Sequence, residues 1–113
     1  MKVLICGSRH WRDIHAIRRR IIKLPPTTTI VHGGARGADR LAGWLAEDLG
    51  FTVREMKADW QTHPKRAGFL RNLAMLDEKP DLVIAFQVDG SPGTQHTIDQ
   101  ARKRGIPVEV HRG

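Results

Sequence analysis

Short apolar runs and amphipathic helical patterns alternate along this chain from end to end, and that alternation limits what it can fold into more than any single motif does. Runs of four to eight Val/Ile-rich residues separated by helix-length segments are the pattern of parallel strands buried on both faces, each joined to the next by a crossover helix. Five strands are predicted: Lys2 to Gly7, Thr28 to Gly33, Phe51 to Met56, Asp81 to Phe86 and Ile106 to His111. Between them lie a stripe of Ile14, Ile17, Ile21 and Ile22, and a second of Leu41, Ala42, Leu45, Ala46 and Leu49 closed by Gly50. A third helix is expected from about Pro64 to Glu78, with Leu70, Leu73 and Ala74 facing the core, and a fourth from about Gly93 to Arg104. Pro25-Pro26 stops the first helix, and Pro80 and Pro107 mark the starts of the last two strands. The fold class that follows is α/β: one Rossmann-like, doubly wound domain of about five parallel strands with helices on both faces.

A chain of 113 residues is one domain's worth, too short for the paired halves of a dinucleotide enzyme, so a mononucleotide-sized ligand is the natural expectation. Lysines and arginines outnumber acids 19 to 12, and the net charge of +7 favours phosphate-bearing partners. The lone Cys6 lies in the apolar run Val3-Leu4-Ile5-Cys6 and reads as a small buried hydrophobe in a reducing compartment. No stretch approaches the roughly 20 apolar residues that cross a bilayer. The expectation is a cytoplasmic protein with no membrane partner. The six histidines lack metal-like grouping, so no metal and no cofactor is invoked.

Ligands of such sheets collect outside the carboxyl ends of the strands, where the winding reverses. That rule brings four loops together: Gly7-Ser8-Arg9, Gly33 to Asp39, Asp59-Trp60, and Asp89-Gly90-Ser91-Pro92-Gly93-Thr94. In Gly33-Gly34-Ala35-Arg36-Gly37, three glycines in five residues follow an apolar run and precede a helix, a build suited to a phosphate-like anion. Gly90 and Gly93, with the hydroxyls of Ser91 and Thr94, form a second candidate cradle, for which simple helix capping is the plainer alternative. On the third helix Arg71 and Met75 share a face, and a guanidinium there can hold a phosphate through paired hydrogen bonds. Arg18-Arg19-Arg20 with Lys23, and Arg102-Lys103-Arg104, fall in the last turns of helices, where solvated cations favour the dipole. Trp60 lies near enough to the binding edge to stack on a base. His32, His63 and His96 border the loops and suit hydrogen-bonding roles.

The Gly-Gly-Ala-Arg-Gly-Ala-Asp motif, the tryptophan of Ala58-Asp59-Trp60, the run Ala67-Gly68 to Arg71-Asn72 with Met75, and Asp81 to Phe86 ahead of a Gly-Thr loop together resemble the YspA-like SLOG family of bacteria and phages. The resemblance covers almost the whole chain and implies a Rossmann-like fold with a pocket for a nucleotide or nucleotide-derived ligand. It implies that Gly33, Gly34, Gly37, Gly93 and Thr94 line the phosphate side. Relatives of this family include the LOG-type nucleoside-monophosphate phosphoribohydrolases and, more distantly, DprA-type DNA-binding proteins. Arg71, Asn72 and Met75 stand where the LOG motif Arg-Lys-x-x-Met places a catalytic arginine. The LOG loop Pro-Gly-Gly-x-Gly-Thr-x-x-Glu, however, has Thr97 here in place of its glutamate.

That departure bears on chemistry, because breaking an N-glycosidic bond passes through an oxocarbenium-like state that a carboxylate stabilises or beside which it activates water. Thr97 does neither well. Asp99, two residues along a helix, is turned roughly 200° away. Asp39 or Asp89 remains as a candidate carboxylate, Asp39 with helix capping and Asp89 with a turn as the alternative role. The leading expectation is therefore a protein that binds a nucleotide or nucleotide-derived small molecule through Gly7, Ser8, Arg9, Gly33, Gly34, Arg36, Gly37, Asp39, Trp60, Arg71, Asn72, Gly90, Ser91, Gly93 and Thr94. The alternatives are a phosphoribohydrolase using Arg71, and single-stranded nucleic-acid binding, which is less favoured. A homodimer is implied by the resemblance alone.

Overall fold

The computed structural model describes residues 1–88 and 90–112. Its elements run β1 (Lys2–Gly7), α1 (Ile14–Ile21), β2 (Thr29–His32), α2 (Ala38–Asp48), β3 (Thr52–Glu55), α3 (Ala67–Asp77), β4 (Leu82–Gln87), α4 (Pro92–Lys103) and β5 (Val108–Arg112). All strand pairs are parallel, in the order β3-β2-β1-β4-β5. The chain builds outward from β1 through β2 to β3, then crosses back to place β4 on the other side of β1. The switch in winding therefore falls between β1 and β4. This is a Rossmann-like α/β fold.

Side-chain alternation divides the core into two layers. Val3, Ile5, Ile30, Ile84 and Phe86 point to one face, where they meet Ile17 and Ile21 of α1 and Ala38, Ala42 and Ala46 of α2. Leu4, Cys6, Val31, Val83 and Ala85 point to the other, against Met75 and Leu76 of α3 and Ile98 and Ala101 of α4. The central strands are buried on both faces, which is why their sequences are continuously apolar. Each fully buried Val, Leu, Ile, Phe or Met among them contributes roughly 1.5–3 kcal/mol.

Three expectations need correction. On α3 the buried residues are Ala67, Asn72, Met75 and Leu76, while Leu70, Leu73 and Ala74 are half-buried. The set 72, 75 and 76 also repeats with helical period; the helix is turned so that Asn72 reaches the carbonyl of Gly93 and Met75 fills the lower core layer. On α1 only Ile17 and Ile21 are buried, and Ile14 and Ile22 are exposed. The basic clusters are not wholly solvated either. Arg20 makes a two-point contact with Glu109 of β5 at 2.6 and 3.1 Å, and Arg104 pairs with Asp77 at 2.7 Å.

Candidate functional site

Beyond the carboxyl ends of the strands lies an open cleft of about 930 Å³. Its walls include Gly7, Ser8 and Arg9 after β1, Gly33, Gly34, Arg36 and Asp39 after β2, and Trp60, Arg71 and Asn72. Ser91, Gly93 and Thr94 close the far side. Two expected members stand apart from these walls. Gly37, at φ +84°, turns the chain into α2 against the carbonyls of Ser8 and Arg9, and Gly90 is exposed with open space around it. Asp89 lies outside the described residues.

The Gly33-Gly34 loop is not an empty cradle. The carboxylate of Asp39, in the first turn of α2, accepts the backbone N–H of Gly7 at 2.9 Å through Oδ1 and that of Gly33 at 3.2 Å through Oδ2. Gly34 donates its N–H to Nδ1 of His32 at 3.0 Å. The anion these amides face is thus built into the chain, which corrects the expectation of free donors at this loop. Asp39 caps nothing on its own helix; it ties β1 and β2 to α2. Burial pushes its carboxyl up from 3.8 to about 6, against the opposing pull of the Arg71 charge and of the backbone N–H groups.

Arg71 is held by two contacts. Nη1 donates to the carbonyl of Gly33 at 2.7 Å and Nε to Oδ1 of Asn72 at 3.1 Å. Asn72 in turn donates to the carbonyl of Gly93 at 3.3 Å, so α3 fixes the guanidinium and the start of α4 together. A side chain at position 33 would meet that guanidinium at 2.6 Å, so glycine there admits the arginine.

The start of α4 has the freer donors. Ser91 occupies the cap position without capping; its hydroxyl lies 2.8 Å from that of Ser8, which also donates to the carbonyl of Val88 at 2.9 Å. Pro92 opens the helix where no N–H is needed, and the N–H groups of Gly93 and Thr94 have no acceptor among the described residues. The two serines thereby clamp the loops on either side of the winding switch.

Several wall residues were not among the expected binding residues: Cys6, His10, Arg40, Glu55, Lys57 and Thr97. Glu55 could have been found from strand alternation, since it lies two residues from the inward-packed Val53. Thr97 is buried and donates to the carbonyl of Gly93 at 3.3 Å. Burial raises the Cys6 thiol well above its ordinary range, in keeping with an inert core residue. His96 contacts Asn72 at 3.4 Å and the ring of Phe69. Among the described residues no cluster of His, Cys, Asp or Glu is arranged to hold a metal ion, and no helix is long and apolar enough to cross a membrane.

A parallel sheet wound as β3-β2-β1-β4-β5, with glycine-containing loops on either side of the winding switch, makes this a protein of the Rossmann-like α/β class. More narrowly, residues 1–63 match the YspA, cpYpsA-related SLOG family, and the chain belongs to that family. It is 41% identical over 116 residues to the Gene 61 protein of Mycobacterium phage D29, covering 95% of this chain and 93% of that protein. Its fold is similar to that of DNA processing protein A (DprA) from Streptococcus pneumoniae, with a TM-score of 0.80 at 20% identity. That likeness covers 96% of this chain and 49% of the DprA chain, so this chain spans about half the length of that structure.

Proposed function

We propose that the cleft binds a nucleotide or nucleotide-derived ligand and holds it without cutting it. The observation that carries this reading is the pair of N–H groups at Gly93 and Thr94, which have no acceptor among the described residues and open a twelve-residue helix across from the tethered Arg71. A phosphate there meets the positive end of α4 and a guanidinium, with Arg9 and Arg36 at the exposed rim. Gly33, Gly34 and Asp39 support the site from below, and Trp60 supplies an apolar wall. Family membership and the net charge of +7 support the same reading.

Hydrolysis is the poorer reading. Thr97 stands in place of a carboxylate, and both oxygens of Asp39 are engaged by backbone N–H groups. Single-stranded nucleic-acid binding has one specific observation in its favour: Arg9, Arg36, Arg40 and Lys57 all line the cleft and are exposed. Affinity that falls steeply with salt distinguishes it from small-molecule binding.

The direct experiment is mass spectrometry of small molecules released from the purified protein, joined to a thermal-shift panel of nucleotides and ribose 5-phosphate. A nucleotide that raises the melting temperature supports the reading. A panel with no response overturns it.

A further inference from the structure

A smaller cavity of about 190 Å³ opens beside the main cleft, lined by His32, Arg40, Gly43, Trp44, Glu47, Val53 and Glu55. Strand alternation and register account for its floor. His32 and Glu55 are partners across the parallel β2–β3 pair, so their side chains stand side by side on the face covered by α2. On α2, Gly43 leaves room for the imidazole; a Cβ there would meet Nε2 at 2.5 Å. Trp44 and Glu47, three residues apart, share a helical face at the rim, where Trp44 is 60% exposed. Arg40 and Glu55 line both this cavity and the main cleft, so the two adjoin.

His32 makes the cavity more than a gap. It is only 4% exposed, and its Nδ1 is used as acceptor for the N–H of Gly34. With Nδ1 accepting, the proton of the neutral ring lies on Nε2, which has no partner among the described residues. Burial lowers the basicity of this histidine, which keeps the ring neutral near pH 7. Nε2 reaches solvent at the cavity, and an acceptor brought in there would pair with it in place of water. The two carboxylates, Glu47 and Glu55, are acceptors only, and the Trp44 ring offers a face.

We propose that this side pocket receives a planar heterocycle whose edge carries one acceptor flanked by N–H donors, as guanine-type bases do. The ring stacks on Trp44, its carbonyl oxygen accepts from Nε2 of His32, and its adjacent N–H groups donate to a glutamate carboxylate. A purely cationic guest suits the carboxylates but leaves the histidine donor unmet and faces Arg40. The pocket lies over β2 and β3 on the face covered by α2, and the start of α4 lies beside β1 and β4 on the other face; residues of both places line the main cleft, which would join base to phosphate. This assignment rests on the phosphate site proposed for the main cleft and adds the base to it.

The test is calorimetric titration of the full chain with guanosine 5′-monophosphate, adenosine 5′-monophosphate, guanosine and ribose 5-phosphate. Guanosine 5′-monophosphate is expected to bind at least about tenfold tighter than the adenosine compound, because mismatched edges leave buried polar groups unpaired. Its advantage over ribose 5-phosphate falls about tenfold in Trp44→Ala and in Glu47→Gln, both substitutions at exposed positions. Equal affinity for both nucleotides and ribose 5-phosphate overturns the side pocket and leaves the phosphate site standing. Guanosine that binds as tightly as its monophosphate supports the pocket and removes the phosphate site. No binding of either guanosine compound overturns the pocket.

Discussion

Gly7 donates its backbone N–H to Oδ1 of Asp39 over 2.9 Å, so a buried carboxylate ties the end of the central strand β1 to the first turn of α2. Because Asp39 is also bonded to Gly33, one side chain joins three elements and takes up one donor at the end of β1 and one in the loop after β2. Its titration is therefore coupled to folding. The folded carboxyl ionises at about 6 and the unfolded one near 3.8, so the native state binds the proton more tightly. Stability from this group is complete below about 4 and is lost as pH rises towards 6, on the order of 3 kcal/mol in all. His32, whose basicity is lowered, works in the opposite direction, favouring the folded state above its ordinary range. Urea denaturation of wild type and Asp39→Asn across this interval isolates Asp39. The stability difference between them is expected to shrink as pH rises and to level off above about 6; a difference that is flat or grows overturns the assignment.

Arg71 is positioned as well as charged, and the two roles separate experimentally. Lysine keeps the charge but cannot reach both the Gly33 carbonyl and Asn72 in a planar fork. Arg71→Lys is expected to weaken nucleotide or ribose 5-phosphate binding about tenfold, and Arg71→Ala by more, as for loss of a charge-assisted hydrogen bond. Gly33→Ala displaces the guanidinium without removing it and should reproduce the lysine effect. Calorimetric titration measures all three; wild-type affinity in Arg71→Ala rules out phosphate binding at this residue.

The layered fold was legible because period-2 and period-3.6 patterns are local, and β1 has the same limits in sequence and structure. What the pattern cannot supply is the rotation of a helix about its own axis when polar contacts choose between two periodic faces. On α3 the apolar set 70, 73 and 74 competes with 72, 75 and 76, and the bonds of Asn72 to Gly93 and of Arg71 to Gly33 select the second. The position of the cleft and many of its wall residues were legible from the glycine loops and the switch-point rule, though not Arg40, Glu55 or Lys57. The occupation of the first loop by Asp39 was not, because it depends on the ends of β1 and β2 meeting at one carboxylate, which lies 32 residues beyond Gly7. The side pocket was hidden for a similar reason: His32, Gly43 and Glu55 belong to three elements and meet only through β2–β3 register and the seating of α2.

The glycines of the two loops differ in what they tolerate. At Gly37 the backbone is left-handed and a Cβ would strike the carbonyls of Ser8 and Arg9, so Gly37→Ala adds steric conflict to strain. Gly90 is also left-handed, but nothing surrounds it. Gly37→Ala is expected to cost about 2–4 kcal/mol and Gly90→Ala about 1 kcal/mol, read as a much larger fall in melting temperature for the first. Equal losses would mean that contact with the β1–α1 loop does not decide the role of Gly37.

Whether the ligand is held or cut depends on which carboxylate can approach a glycosidic carbon. Asp39 and Glu55 both line the cleft. Asp39 already accepts two N–H groups, and releasing either oxygen for water activation would leave a backbone donor buried without a partner, at a cost of about 1–3 kcal/mol. Glu55 is exposed and lies against Gly34, away from the threonine that replaces the expected acid on α4. Thr97 has no charge to offer an oxocarbenium-like state, and its hydroxyl is spent on the Gly93 carbonyl. Guanosine and adenosine 5′-monophosphates incubated in excess with the protein should therefore be recovered intact by chromatography. Free base in more than stoichiometric amount, abolished in Asp39→Asn but retained in Glu55→Gln, would instead identify the buried carboxylate as the missing acid and make the protein a hydrolase.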